Sequence, residues 1–186
     1  MPATDTPAST PPYAIVVMGV SGSGKSTFGA VLADRLGGRF IEGDDLHSPE
    51  NVAKMRSGHP LEDADRWSWL DRVGAALRDA ALADGVAVGA CSALKRVYRD
   101  RLSQAAGLPL SFVFLDVPHR DELTRRLVDR PGHYMPASLL ESQLATLERP
   151  TEDERAIMLD AEQPIDRSCD ATVDWIIGNS AKTEPV

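Results

Sequence analysis

Gly19-Val20-Ser21-Gly22-Ser23-Gly24-Lys25-Ser26 is the stretch from which the fold of this chain is read. It follows the pattern GxxxxGK[ST]. Its glycines allow a tight turn that points several backbone N–H groups into one concavity. An apolar run, Tyr13–Met18, precedes it, and a helix-period segment, Ser26–Leu36, follows it and stops at Gly37-Gly38. A strand, a glycine-rich loop and a helix N-terminus in that order build an anion site, because the helix dipole adds to the loop amides. Lys25 brings a cation to the β- and γ-phosphates of a nucleoside triphosphate, and the Ser26 hydroxyl can hold Mg²⁺. Gly19, Ser21, Gly22, Ser23, Gly24, Lys25, Ser26 and Thr27 are the expected nucleotide-binding residues.

Outward from this loop, short apolar runs alternate with longer charged segments of helical period. Arg39–Glu42, Gly85–Cys91, Ser111–Asp116 and Ala156–Asp160 read as further strands. Glu62–Asp84, Leu94–Ala106, His119–Arg130, Ala137–Glu148 and Ile165–Ile177 read as helices, and Ser48-Pro49-Glu50 as a capped helix start. Strands that are apolar throughout are buried on both faces, and alternation with helices makes their sheet parallel. No repeat and no second core is visible, so residues 13–180 are expected to form one three-layer α/β domain between tails at 1–12 and 181–186.

The composition narrows the function classes. The chain has 186 residues, is 42% hydrophobic and carries a formal net charge of -8. Such an acidic chain is a poor fit to nucleic acid or to an anionic membrane surface. An anionic substrate would need a local basic pocket set against the overall field. The run Tyr13–Val20 is much shorter than the roughly 20 apolar residues that span a bilayer, and no cationic leader precedes it. The 2 cysteines, Cys91 and Cys169, lie in no metal-ligand spacing. A reduced, cytoplasmic chain with Cys91 in its core is expected.

Ligands of open parallel sheets sit beyond the carboxyl ends of the strands. Asp44 follows the second strand and is positioned to orient an acceptor hydroxyl and take its proton; a solvated pair with Asp45 is the other reading. His47 is either an acceptor-site residue or a loop cap. In the cluster Asp63, Asp65 and Arg66, the acids suit a helix start and Arg66 suits a carboxylate. Ser92 and Lys95 leave the third strand directly, whereas Arg96, Arg99 and Arg101 read as a solvated helix face. Met55 either lines the acceptor site or packs the core, as Trp67, Trp69 and Trp175 do. Asp116 ends an apolar run in the manner of a magnesium-holding strand. Arg126 and Arg130 share a helix face before Pro131-Gly132-His133, as a closing lid over about 126–140 would need.

GVSGSGKST, GDDLHSPENVAKMRSGHPLEDADR, CSALKRVYRDRL, FVFLD, RLVDRPGHYM, LLESQLATLERP and DAEQPID run from about residue 19 to residue 166. Together they resemble the gluconate kinase family of small P-loop kinases. GDxLH, CSALKRxYRD and RxGHxM in this order are specific to that resemblance. It implies a fold of the nucleoside-monophosphate-kinase type with a five-stranded parallel sheet and a lid, and homodimers. It also implies the reaction of ATP with D-gluconate to give ADP and 6-phospho-D-gluconate. On that resemblance Lys25, Asp44 and Arg130 are catalytic, and Arg126 and Gln163 lie near the base. His47, Met55, Arg66, Ser92, Lys95 and His133 face the sugar acid. Two departures stand out. Ser68 stands before Trp69-Leu70 where relatives have proline, and Asp116 stands where they often carry a non-acidic residue. A same-fold kinase for shikimate, a nucleoside monophosphate or another sugar acid is the nearest rival. A nucleotide-dependent switch is the distant one, and the chain has no NKxD guanine-reading motif.

Overall fold

The computed structural model describes residues 11–119, 121–123, 125 and 138–180. Arg126, Arg130 and His133 lie outside the described residues. The elements, in chain order, are β1 (Tyr13–Met18), α1 (Lys25–Leu36), β2 (Arg39–Glu42), a 3-10 turn (Gly43–Leu46) and α2 (Pro49–Arg56). They continue as α3 (Asp63–Asp84), β3 (Val86–Ala90), α4 (Arg96–Ala106), β4 (Leu110–Asp116), α5 (Ser138–Thr146), β5 (Ala156–Asp160) and α6 (Ile165–Ser180).

Ala14 through Met18 are fully buried, which only a strand covered on both faces can sustain. β1 pairs in parallel with β3, Tyr13 opposite Val86, and with β4, Met18 opposite Phe114. The full order is β2-β3-β1-β4-β5. Side chains alternate across a strand, so β1 feeds two cores. Ala14, Val16 and Met18 pack with Trp69, Val73 and Leu77 of α3 and with Tyr98 and Leu102 of α4. Ile15 and Val17 pack with Phe28 and Leu32 of α1 and Cys169 and Ile176 of α6. This is the expected three-layer sandwich of helices, sheet and helices.

Two expectations need correction. The edge strands are not buried on both faces: β2 is largely half-buried, and Met158 of β5 is 57% exposed. An edge strand has a neighbour on one side only. Nor does Arg99 lie on a solvated face, since it is 1% exposed. Helical period puts it beside Leu102 and Ala106 on the buried side of α4. Its guanidinium forks onto Glu154, with Nη2 donating to Oε1 at 2.8 Å and Nε donating to Oε2. Nη1 donates to the carbonyls of Ala93, Leu94 and Glu148 at 3.1, 3.3 and 3.1 Å. Arg96 and Arg101 do lie at the surface, paired with Asp153 and Asp71. Asp116 is held by both Nη atoms of Arg149, at 2.7 and 2.9 Å.

Removing one partner of a buried ion pair strands the other, at a cost of about 3–5 kcal/mol. Arg99→Met is therefore expected to lower the free energy of unfolding by about that much. Adding Glu154→Gln should restore a large part of it, as read from urea denaturation of the two variants side by side.

Candidate active site

The loop Gly19–Ser26 leaves the carboxyl end of β1 and is stitched to the exit of β3. Cys91 N–H donates to Val17 O at 3.0 Å and Gly19 N–H to Ser92 O at 3.3 Å. Gly24 takes a left-handed φ of 92° and stands at the N-cap of α1 with no side chain to cap it. The first amides of α1 are thereby turned toward the loop concavity. Lys25 folds back across the loop, Nζ donating to Val20 O at 2.9 Å. Ser23 Oγ is buried with no hydrogen-bond partner among the described residues. An orphaned hydroxyl in a loop that ends at an uncapped helix N-terminus, with Ser26 lining the cleft, fits a phosphate chain and its cation.

The acceptor side is built on the 3-10 turn after β2. A Cβ on Gly43 would sit 2.3 Å from Ala90 O, so only glycine lets this turn lie against β3. Trp69 Nε1 donates to Gly43 O at 2.7 Å, and Arg72 Nε to Leu46 O at 2.8 Å. The His47 ring stacks on Trp69 with centroids 4.1 Å apart. α3 thus grips the turn that presents Asp44 and His47. Burial pushes the His47 imidazole down to about 4, opposed by Asp44 and reinforced by Arg66 and Arg72. The ring is neutral at pH 7, and its buried Nδ1 has no partner among the described residues.

The charged cluster divides by partner. Asp63 accepts from Lys95 Nζ at 2.8 and 3.0 Å and from the Tyr98 hydroxyl. Hydrogen bonds from Lys95 and Tyr98 hold its carboxyl below the usual range. Asp65 accepts from Lys54 Nζ at 2.7 Å and from Glu62 N–H at 2.7 Å, and so is tied to α2 and to the start of α3. Arg66 remains. Its guanidinium lies 5.5 Å from the Tyr98 ring centroid, and its buried Nε has no partner among the described residues.

These parts meet in one cleft of about 730 Å³, open to solvent, whose lining includes Ser21, Gly22, Gly24, Lys25, Ser26, Asp44, His47, Met55, Arg66 and Ser92. Met55, in that lining, also packs with Leu61 and Leu139. Lys95 is not among the lining residues. A second cavity on the far side of the loop is lined by Ser23, Gly24, Thr27, Gln163, Ile165 and Ser168. Gly24 borders both cavities. Gln143 of α5 was missed from the sequence: its Oε1 accepts from Ser21 N–H at 2.6 Å, and it lines the first cleft with Leu139. The available signal was a polar residue within the apolar spacing of Leu139, Leu140, Leu144 and Leu147.

The profile of a family described as an AAA domain matches residues 15–150. The chain is similar to the gluconokinase of Gluconobacter oxydans, 53% identical over 152 residues that cover 82% of this chain and 84% of that one. The chain belongs to the gluconokinase family. The thermoresistant gluconokinase of Escherichia coli is 41% identical over 167 residues, covering 87% of this chain and 91% of that one. The crystal structure of a gluconokinase from Sinorhizobium meliloti superposes with a TM-score of 0.80 at 45% identity, over 94% of this chain and 98% of that one. In this gluconokinase-family chain no helix among the described residues is long and apolar enough to cross a membrane.

His47 gives the cleft a pH signature. Between an exposed imidazole's 6.5 and the folded value of about 4, the unfolded chain binds a proton that the folded cleft refuses. Stability present above pH 6.5 is therefore lost as pH falls toward 4. His47→Gln should flatten that slope, the two proteins' unfolding free energies converging by on the order of 1–3 kcal/mol at the acid end. Denaturation curves across this range check it.

Proposed function

We propose that the protein is an enzyme that phosphorylates D-gluconate with ATP, yielding ADP, 6-phospho-D-gluconate and a proton. The observation that carries this reading is the shared cleft: the phosphate loop, a carboxylate, a neutral histidine and one arginine line a single space. Membership of the gluconokinase family names the acceptor.

ATP occupies the loop Gly19–Thr27, its phosphates at the N-terminus of α1 and its base toward Gln163. Gluconate lies in the first cleft. Arg66 takes its carboxylate, because Lys95 is already neutralised by Asp63 while Arg66 lines the cleft. His47, uncharged, exchanges hydrogen bonds with the polyol hydroxyls, as does Ser92. Asp44 orients the terminal hydroxyl and accepts its proton. The hydroxyl oxygen forms a bond to the γ-phosphorus as the bridging oxygen leaves with ADP. Lys25 stabilises the charge that develops on the phosphoryl oxygens. Ser26 is the side chain that would hold Mg²⁺, which when bound neutralises the β- and γ-oxygens. Arg126, Arg130 and His133 complete the site from the lid, Arg126 against the adenine and Arg130 over the phosphates. The enzyme works as a cytoplasmic homodimer of single-domain subunits.

A coupled assay of ADP release tests the reaction. Gluconate should drive turnover where shikimate and nucleoside monophosphates do not, and Asp44→Asn should lower kcat by roughly 10²–10⁴-fold with ATP binding nearly unchanged. ADP release indifferent to gluconate rejects the reading. Arg66→Ala should raise the gluconate KM about 10–100-fold, the loss of one charge-assisted contact. Lys95→Ala should leave that KM within a few-fold and show itself in thermal stability instead.

A further inference from the structure

Ser21 N–H is an amide of the phosphate loop that is already satisfied, and by a side chain from far along the chain. Gln143 is 8% exposed, and its Oε1 lies 2.6 Å from Ser21 N. A backbone N–H can only donate, so the atom that faces it must be the amide oxygen, whichever way the side chain is turned. Burying a primary amide on a helix face is unfavourable unless it is bonded. That face is otherwise apolar where it meets the protein: Leu140 and Leu144 pack with Val20, Leu94 and Leu123.

The contact is framed at both ends. Val20, next to Ser21, is in the same apolar cluster as α5. Beyond the last turn of α5, Glu148 N–H donates to Leu94 O at 2.8 Å, and Glu148 Oε2 accepts from Arg96 N–H at 2.7 Å. Glu148 O also accepts from the buried Arg99. α5 therefore spans from the segment after β3, which carries Ser92, to the first half of the phosphate loop. Ser21 lines the acceptor cleft with Gly22, Gly24, Lys25 and Ser26, whereas Ser23 and Thr27 line the cavity with Gln163. The side chain grips the loop at Ser21, which lines the acceptor cleft and not the cavity with Gln163.

We infer that Gln143 is a positioning residue for phosphoryl transfer: its amide oxygen, through Ser21 N–H, holds the phosphate loop at Ser21 in register with the acceptor cleft. This rests on the proposed kinase reaction. Such a contact acts on alignment of the transferring phosphoryl group with the acceptor, so it governs turnover more than nucleotide affinity.

The test compares the full-length wild type with Gln143→Met, which keeps length and apolar packing but has no acceptor oxygen, and with Gln143→Ala. Both variants are expected to lose about 10–100-fold in kcat with gluconate while the KM for ATP stays within about threefold. Near-normal kcat in Gln143→Met would mean that the side chain only fills space and would overturn the inference. So would an ATP KM that rises in step with the loss of kcat. A second measurement needs no acceptor: hydrogen exchange at the Ser21 amide should quicken at least about tenfold in Gln143→Met at unchanged Tm. Unchanged exchange overturns the inference even if gluconate is phosphorylated. A wild type inert toward gluconate overturns the proposed reaction, and the exchange measurement then still decides whether Gln143 holds the loop.

Discussion

Parallel pairing of β1 between β3 and β4 is the constraint from which the site follows. Strands that run the same way deliver their following loops to one edge of the sheet. The loop after β1, the turn after β2 and Ser92 after β3 all emerge there. The bonds Cys91 N–H to Val17 O and Gly19 N–H to Ser92 O extend the ladder past the strands and tie the phosphate loop to the acceptor side. A slip of one residue in β1 would exchange its two buried faces, which two different cores forbid.

Electrostatics then sorts the residues that geometry has gathered. In a chain of formal net charge -8, anionic ligands are drawn only where cations are left unneutralised. The acids at the start of α3 quench Lys95 and Lys54, and Asp116 is quenched by Arg149. Arg66, set against the Tyr98 ring, lines the cleft with no ion-pair partner among the described residues. Burial keeps His47 neutral, so among the described residues the acceptor cleft offers one guanidinium beside one uncharged ring. That pairing suits a molecule with a single carboxylate and many hydroxyls.

Much of this was legible before any coordinates. Every strand lay within a residue or so of its expected span because buried strands are short apolar runs. Ser48 caps α2 as expected, its Oγ accepting from Asn51 N–H at 3.2 Å. Local patterns failed where long-range partners decide. Arg99 looked like a surface arginine because Glu154, 55 residues on, cannot be paired with it by inspection. Nor could the pairing of Lys95 with Asp63, 32 residues earlier, be read from the chain. Gln143 carried only a faint signal, since its partner is a backbone amide 122 residues away.

The sequence by itself determined the phosphate loop at Gly19–Ser26, the parallel α/β class and the family, because glycine spacing, apolar runs and helical period are properties of neighbours in the chain. Only the tertiary structure decided which charges remain available in the cleft, why His47 is neutral and what holds Ser21. Neutralisation, desolvation and hydrogen bonding to a backbone amide depend on which distant groups arrive at the same point, and that is settled only when the sheet and its flanking helices close around it.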